Sequence, residues 1–322
     1  MPVAVWGNPI PAVWGNPIES KLIIRRLKAM RKILLVVFLV LAAFVFGCYE
    51  RDAAAEVTIT AVKVSGDIPL DPAHTAWKPV PISYVDLNCQ VLAEPKNMNC
   101  ATRVVEVSAL TNGKEIAVKL RWSDQSKDEL NLHHEQYRDA AALEFAVKPV
   151  NQGEEPAYTM GNSGDMVNIW HWKAEWQKDG DRRQDMEDTY PNMSADWYVD
   201  EQPDGKISYH DRQGKNLGSF DPAAYSHNIF SQVDLRHSPV EDLNAEGFGS
   251  LTTQKSQDVS GYGTWDKNGW NVVFKRTLTD KDENDVQFGA GKFAIAFAVW
   301  DGSNAERDGL KSISQWNYIE IK

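Results

Sequence analysis

The chain has 322 residues, 43% of them hydrophobic, and 12 tryptophans, enough to bury the core of one large or two small domains. A formal net charge of -11 and a pI near 5.2 argue against a nucleic-acid partner, because affinity for phosphate backbones comes from clustered lysine and arginine. The composition therefore predicts a globular protein that does not bind nucleic acid.

The N-terminal region predicts an export signal behind an extension. Residues 1–29 hold a near-duplicate, PVAVWGNPI followed by PAVWGNPI, which is typical of a non-native or unprocessed extension rather than of folded sequence. Met30 is the better start, because two basic residues and then an uncharged apolar run at 33–47 follow it. We therefore expect an export signal over residues 30–55 and a protein in the periplasm or an equivalent extracytoplasmic space.

Three outcomes are open for the processing of this signal. Residues 45–48 resemble a lipoprotein box, which would place a lipid on Cys48. The small residues at 53–55 fit an ordinary cleavage site instead. The apolar run is shorter than the ~20 residues of a usual membrane-spanning helix, but a retained N-terminal anchor is the third alternative.

Two cysteines, Cys89 and Cys100, belong to the exported part of the chain. In an oxidising compartment two cysteines most simply form a disulfide. The chain contains no Cys-x-x-Cys-His sequence, which argues against covalent attachment of a c-type haem.

Residues 56–322 predict a single domain of mainly antiparallel β-strands. Asn112-Gly113 and Asn268-Gly269 each lie between alternating apolar segments, as in tight β-hairpins. Residues 177–257 lack a clear period and predict long loops or a short helical insert. The predicted strands cover residues 57–65, 82–91, 103–110, 116–122, 140–147, 167–176, 270–278, 293–300 and 316–321.

A glycine-punctuated loop at residues 156–166 precedes a strand rich in tryptophan. Within the predicted strand 167–176, Trp170, Trp172 and Trp176 alternate with a second face that carries His171. The loop carries Met160 between turn residues, so it could present a sulfur ligand. A hairpin loop whose methionine packs on the core explains the same residues.

A stripe of alanines marks the strand at residues 293–300. Ala294, Ala296 and Ala298 occupy one face, which leaves room either for a flat ligand or for a closely packed second sheet. The packed sheet is the more frequent cause of such a stripe. Lys311 lies in the turn-rich loop that follows, where solvent exposure is the ordinary expectation for a lysine.

Several motifs, taken together and in this order, resemble the haem-b-binding γ subunit of the ethylbenzene dehydrogenase type. The resemblance covers about residues 57–322. Relatives of this type serve exported molybdenum enzymes. The motifs are TMG at 159–161, VNIWHWK at 167–173, AEGFG at 245–249, GWNVVFKR at 269–276, FAVWDG at 297–302 and KSISQW at 311–316.

The resemblance implies a β-sandwich related to carbohydrate-binding modules, with one non-covalent haem b. It implies Met160 and Lys311 as the two axial ligands of the haem iron. Met166 is the rival sulfur, but Met160 occupies the Met-Gly position of the motif. His171 is the alternative ligand by general haem chemistry.

Three further residues are expected to contact the haem on the same grounds: Trp170, Trp300 and Arg276. Arg276 and its neighbour Lys275 could pair with haem propionates, although charge on a strand surface explains both residues equally well.

Two protein ligands leave no open coordination position, so we expect electron transfer and no catalysis by this chain itself. The expected partners are the iron–sulfur subunit and the molybdenum catalytic subunit of an exported oxidoreductase, with nitrite or nitrate chemistry preferred, and a soluble cytochrome c. An exported carbohydrate-binding module, whose exposed tryptophans stack on sugar rings, is the alternative function. An exported structural β-domain without a ligand is a third.

Overall fold

Antiparallel pairing of short strands dominates the computed structural model. The structure describes residues 56–180, 182–184, 186–190, 192, 200–201, 207–208 and 226–322. The predicted extension, export signal, Cys48 lipid site and cleavage site lie outside these residues. No helix in the described part of the chain has the length and apolar character needed to cross a membrane.

The elements follow one another in a nearly all-β order, which confirms the predicted fold class. The strands are β1 (Thr58–Lys63), β2 (Ser83–Asp86), β3 (Asn88–Cys89), β4 (Val104–Thr111), β5 (Glu115–Ser123), β6 (Ala140–Ala146), β7 (Val167–Lys173), β8 (Asp200–Glu201), β9 (Ile207–Ser208), β10 (Val240–Ala245), β11 (Thr252–Thr253), β12 (Ser260–Trp265), β13 (Gly269–Thr277), β14 (Gly291–Trp300), β15 (Ser312–Ile313) and β16 (Asn317–Ile321). The helices are α1 (Ala174–Asp179) and α2 (Met186–Thr189), and 3₁₀ turns cover Thr75–Trp77, Val233–Leu235 and Gly302–Asn304.

All of these strands except β8 and β9, which pair with each other, form a folded sheet whose halves pack face to face. Its order is β11-β10-β7-β6-β14-β16-β1-β4-β5-β13-β12, and only the β1–β16 and β1–β4 pairs are parallel among the described strands. The halves meet in a core where Trp172 of β7 lies 4.9 Å from Trp270 of β13 and 6.3 Å from Trp122 of β5, measured between ring centroids. This two-layer packing is the predicted β-sandwich.

Both predicted Asn-Gly hairpins are present. Gly113 adopts a φ of 83° in the β4–β5 turn. At the β12–β13 turn a side chain on Gly269 would place Cβ 1.9 Å from the Trp122 carbonyl oxygen, so only glycine fits. These turns fix the register of the strands that form the inner core.

Strand β7 is shorter than predicted, because the chain turns into α1 at Ala174. The Ala174 N–H still donates to the Asp139 carbonyl (3.1 Å), at the next position of the β6–β7 register, and α1 begins at this residue. Trp176 is nevertheless buried, 5.5 Å from the Phe230 ring centroid. Trp176 therefore fits the period-two pattern of the strand although it is buried on a helix, which explains why the predicted strand was too long.

Strand β10 lies in the region where the sequence showed no clear period. Its sequence VEDLNA reads as polar, yet Glu241 and Asp242 are both buried. Glu241 forms an ion pair with Lys173 of β7, and the carboxylate of Asp242 accepts a hydrogen bond from the Asn168 amide (2.7 Å). Internal pairing therefore concealed a central strand, whereas α1 and α2 agree with the predicted helical insert.

Candidate functional site

A cavity of about 650 Å³ lies on the face of β6, β7, β10 and β14 that points away from the main core. Its floor is a patch of small side chains: Ala140 and Ala142 of β6 beside Ala296 and Ala298 of β14. Ala142 lies directly opposite Ala298 in the paired strands. The alanine stripe therefore faces an open cavity over this stretch, and the expectation of a closely packed second sheet is wrong there.

The loop before β7 brings Met160 to the cavity wall. Met160 has a φ of +76°, which is unusual for a residue other than glycine. Its carbonyl accepts the Gly247 N–H (2.7 Å), and Gly161 donates its N–H to the Ala157 carbonyl (2.8 Å). A Cβ on Gly161 would lie 2.7 Å from the Asp165 carbonyl oxygen, so this glycine is required.

The loop between β14 and β15 brings Lys311 to the same cavity. The Lys311 carbonyl accepts the Gln90 N–H (3.0 Å), and the Gln90 side-chain amide donates to the Gly309 carbonyl (2.9 Å). Gln90 follows Cys89, which is joined to Cys100 by a disulfide with a Cα–Cα distance of 5.1 Å. The disulfide-bonded segment from Cys89 to Cys100 thus holds the loop that carries Lys311 through these two hydrogen bonds of Gln90.

Glu144 is a site residue that the sequence interpretation missed. It lies on the alanine face of β6, close to the Met160 N–H and to Lys311, and its Oε1 accepts no hydrogen bond from the described residues. Burial raises the pKa of Glu144 to about 8, although Lys311 opposes this shift. Burial also lowers the pKa of Lys311, against the effect of Glu144. Both groups therefore shift toward their uncharged forms.

His171 and Trp300 form one wall of the cavity. Their rings stack with centroids 4.8 Å apart and planes inclined by 27°, and the Lys311 ammonium lies 5.0 Å from the Trp300 centroid. Burial, with smaller effects from nearby cations, holds the pKa of His171 well below its usual range. His171 is therefore neutral at pH 7, and its Nε2 contacts no hydrogen-bonding partner in the described structure.

Two of the residues expected to contact the haem lie elsewhere. Trp170 is fully buried in the sandwich core, where its indole N–H donates to Asn168 (2.9 Å), so its ring points away from the cavity. Arg276 is also buried, 3.4 Å from Asp285, with its guanidinium 5.2 Å from the Trp170 centroid. Neither residue lines the cavity, because β7 and β13 turn these side chains inward.

The remaining candidates divide clearly between cavity and surroundings. Met160, Trp300 and Lys311 line the cavity, whereas Met166 does not. Lys275 is also away from it, where its ammonium lies 3.5 Å from Glu115.

The residues present fit a haem. A volume near 650 Å³ lies within the range of about 300–1,000 Å³ for cofactor pockets. The alanine floor accepts a flat ring, and Met160 and Lys311 offer a thioether and an amine whose pKa is lowered. The buried Nε2 of His171 has no hydrogen-bond partner among the residues that the structure describes. Arg138 and Arg307, which also line the cavity, offer cationic groups for carboxylates.

The sequence matches known proteins along most of its length. A protein of Haloferax mediterranei that bears the name of a respiratory nitrate reductase heme subunit is 25% identical over 83% of this chain and 73% of its own length. The chlorate reductase subunit gamma of Ideonella dechloratans is 26% identical over 81% of this chain and 84% of its own. The dimethylsulfide dehydrogenase subunit gamma of Rhodovulum sulfidophilum is 26% identical over 83% and 82%, respectively.

Among solved structures, the fold matches a carbohydrate binding module of family 9 from Caldicellulosiruptor kristjanssonii in complex with cellotriose. The match covers 82% of this chain and 93% of the module, with 11% identity and a TM-score of 0.36. Residues 74–312 match the sequence model described as ethylbenzene dehydrogenase. This match spans the cavity from Gln90 to Lys311, and the chain belongs to the ethylbenzene dehydrogenase family.

Proposed function

We propose that this protein is the electron-transfer subunit of an exported oxidoreductase complex and that it holds one non-covalent haem b between Met160 and Lys311. The observation that carries the proposal is the meeting of these two residues, distant in sequence, at one cavity with an alanine floor. Bound haem b would supply a one-electron couple at this position.

The surroundings of Lys311 suit a ligand that must be an uncharged amine. A lysine binds a metal only after it loses its proton, so a lowered pKa reduces the free energy needed for binding. Burial lowers the pKa of Lys311, and a protonated Glu144 beside it would not hold the ammonium form in place. Glu144 would therefore act as a positioning residue beside the Met160 N–H and Lys311.

The cavity also suggests which residues would anchor the charged edge of the ring. Arg138 lies 3.3 Å from Glu175, and its Nε donates to no acceptor among the described residues. Arg307 is exposed beside Asp308 (2.7 Å). We propose these two arginines, in place of Arg276, as the partners of the haem propionates.

The partners follow from the relatives, two of which are named as gamma subunits of a chlorate reductase and a dimethylsulfide dehydrogenase. We propose that the chain relays electrons between the iron–sulfur subunit of an exported molybdenum enzyme and a soluble cytochrome c. A nitrate- or nitrite-type enzyme is favoured by the Haloferax mediterranei relative. Phe248 and Leu251, exposed apolar residues at the cavity, suit contact with such a partner.

The test is the absorption and EPR spectrum of the protein expressed with haem available. Met160→Ala and Lys311→Ala should each abolish the parental low-spin spectrum while the domain stays folded by circular dichroism. Met166→Ala and Lys292→Ala, which remove the same side chains outside the cavity, are the controls. A parental spectrum in Lys311→Ala or Met160→Ala would overturn the ligand assignment.

The carbohydrate-binding alternative would need tryptophans that stack on sugars at the surface. The exposed large apolar residues in the described part of the chain include no tryptophan. A colourless protein that binds polysaccharide would favour this alternative over the haem proposal.

A further inference from the structure

A second cluster of polar groups lies behind β7, on the side opposite the haem cavity. Asp242 of β10, Asp258 and Asp285 each place a carboxylate oxygen within 4.8 Å of the other two. Asp242 is 0% exposed and Asp285 is 1% exposed. Buried carboxylates this close repel one another unless protons or a cation neutralise them.

Asp242 and Asp285 each accept hydrogen bonds from the described residues through only one of their two carboxylate oxygens. Gln254 donates its amide to one oxygen of Asp242 (2.9 Å) and to one of Asp285 (2.6 Å). The second oxygen of each carboxylate, the side-chain oxygen of Gln254 and one oxygen of Asp258 are buried and accept no hydrogen bond from the described residues. Buried oxygens are ordinarily satisfied, so four unpartnered acceptors on the residues of one cluster indicate a bound group.

The charges of the cluster lead to the same conclusion. Arg276 is the cation that forms ion pairs with this cluster among the described residues, 3.4 Å from Asp285 and 3.6 Å from Asp280. One guanidinium cannot balance four aspartates. The cluster therefore has more carboxyl groups than cationic groups beside them.

The other acidic cluster of the described residues is built differently. There, the Asp139 carboxylate accepts N–H groups from Gly302 (2.9 Å), Asp128 (2.7 Å) and the Trp270 indole (2.8 Å). Its two oxygens are already occupied by protein donors. Within the described part of the chain, that cluster has one unpartnered carboxylate oxygen, on Asp124, whereas Asp242, Asp258 and Asp285 each have one.

We propose that Asp242, Asp258, Asp285 and Gln254 bind a calcium ion. The donors are all oxygen atoms of carboxylate and amide groups, which are the ligands that the hard cation Ca²⁺ takes in proteins. A pocket of about 550 Å³, lined by Asp258 and Asp280, opens beside the cluster and gives an ion access from solvent.

The ion would tie several segments of the sandwich together. Asn168 of β7 donates to Asp242 (2.7 Å) and accepts the indole N–H of Trp170 (2.9 Å). The neighbouring residues Ile169 and His171, on the opposite face of β7, line the haem cavity. The proposed ion would therefore stabilise the strand that carries the cavity wall.

The test is calcium titration of the chelator-treated, haem-loaded protein by calorimetry and thermal unfolding. We expect one ion per chain and a rise in Tm of about 5 °C or more at 1 mM Ca²⁺. Asp242→Asn should fold, because it removes buried repulsion, and yet lose the calcium response by at least about 10-fold in affinity. Glu283→Gln, which removes one exposed charge from the adjacent pocket, should keep it.

Two results would overturn the proposal. An unchanged Tm in the parent protein at 1 mM Ca²⁺ would mean that protons alone neutralise the cluster. Stoichiometric binding that survives in Asp242→Asn, but is lost in Asp124→Asn, would place the ion at the other acidic cluster. Neither result depends on the haem ligands.

Discussion

The alanine floor allows a prediction in which one substitution has opposite effects at two positions of the same strand. Ala296 lines the cavity, whereas Ala294, two residues away on the same face, does not line it and lies opposite Tyr318 in the sheet. We therefore compare Ala296→Leu with Ala294→Leu. The two positions differ in the space above the side chain and in the cross-strand partner, which is Glu144 for Ala296 and Tyr318 for Ala294.

The expected magnitudes follow from that space. Leucine adds about three carbon groups, and each buried group contributes about 0.8 kcal/mol, so Ala296→Leu can stabilise the haem-free protein by up to about 2 kcal/mol. Ala294→Leu must instead enter packed structure, which costs about 1–3 kcal/mol. The two variants should thus differ by roughly 3–5 kcal/mol in their free energy of unfolding.

Urea unfolding of the haem-free proteins measures this difference, and the haem content of the purified proteins gives the second readout. Ala296→Leu should lose haem because its side chain fills the floor. Ala294→Leu should bind haem in proportion to its folded fraction. If both variants lose similar stability, or if Ala296→Leu retains full haem content, the cavity is not a ring-binding site and the reasoning fails.

Three further predictions concern neighbouring residues. The pKa of Glu144, about 8 when folded, lies above its ordinary 4.5, so the folded state keeps a proton that the unfolded state loses. Stability of the haem-free protein should fall as pH rises between these values, by at most about 1.4 kcal/mol per unit from this group, and Glu144→Gln should flatten the curve of Tm against pH. Gly161→Ala should cost at least about 1 kcal/mol, since its φ is +72° and its Cβ would meet the Asp165 carbonyl; an unchanged urea midpoint would contradict this. Lys173→Met should cost about 3–5 kcal/mol by stranding Glu241, and Lys173→Met/Glu241→Gln should recover most of it in a double-mutant cycle.

Much of the fold could be predicted because local rules and tertiary packing agree. The Asn-Gly turns and the alternating strands around them need only short-range information, and both hairpins formed as expected. Strand β10 could not be predicted, because Glu241 and Asp242 read as surface residues until their partners on β7 are known. A sequence does not show which distant residue will neutralise a buried charge.

The site illustrates the same limit. Period-two alternation already places Trp170 and His171 on opposite faces of β7, so a cavity lined by His171 excludes Trp170. That correction was available from the sequence. Glu144 was also detectable, as the single charge on an otherwise alanine-rich face of β6. The sequence could not show whether the stripe of alanines faces a second sheet or a cavity, because small side chains suit both a close sheet and a flat ligand.

The folded protein retains two local costs at this site. A methionine with a φ of +76° carries about 1–3 kcal/mol of backbone strain, and a lysine with a lowered pKa has lost favourable solvation. Neither feature improves the packing of the sandwich. Each becomes useful if Met160 must aim a sulfur and Lys311 must offer a free amine to one centre. The backbone strain of Met160 and the desolvation of Lys311 thus occur at the two residues that the family resemblance selects. Backbone angles and pKa shifts are observations independent of motif similarity.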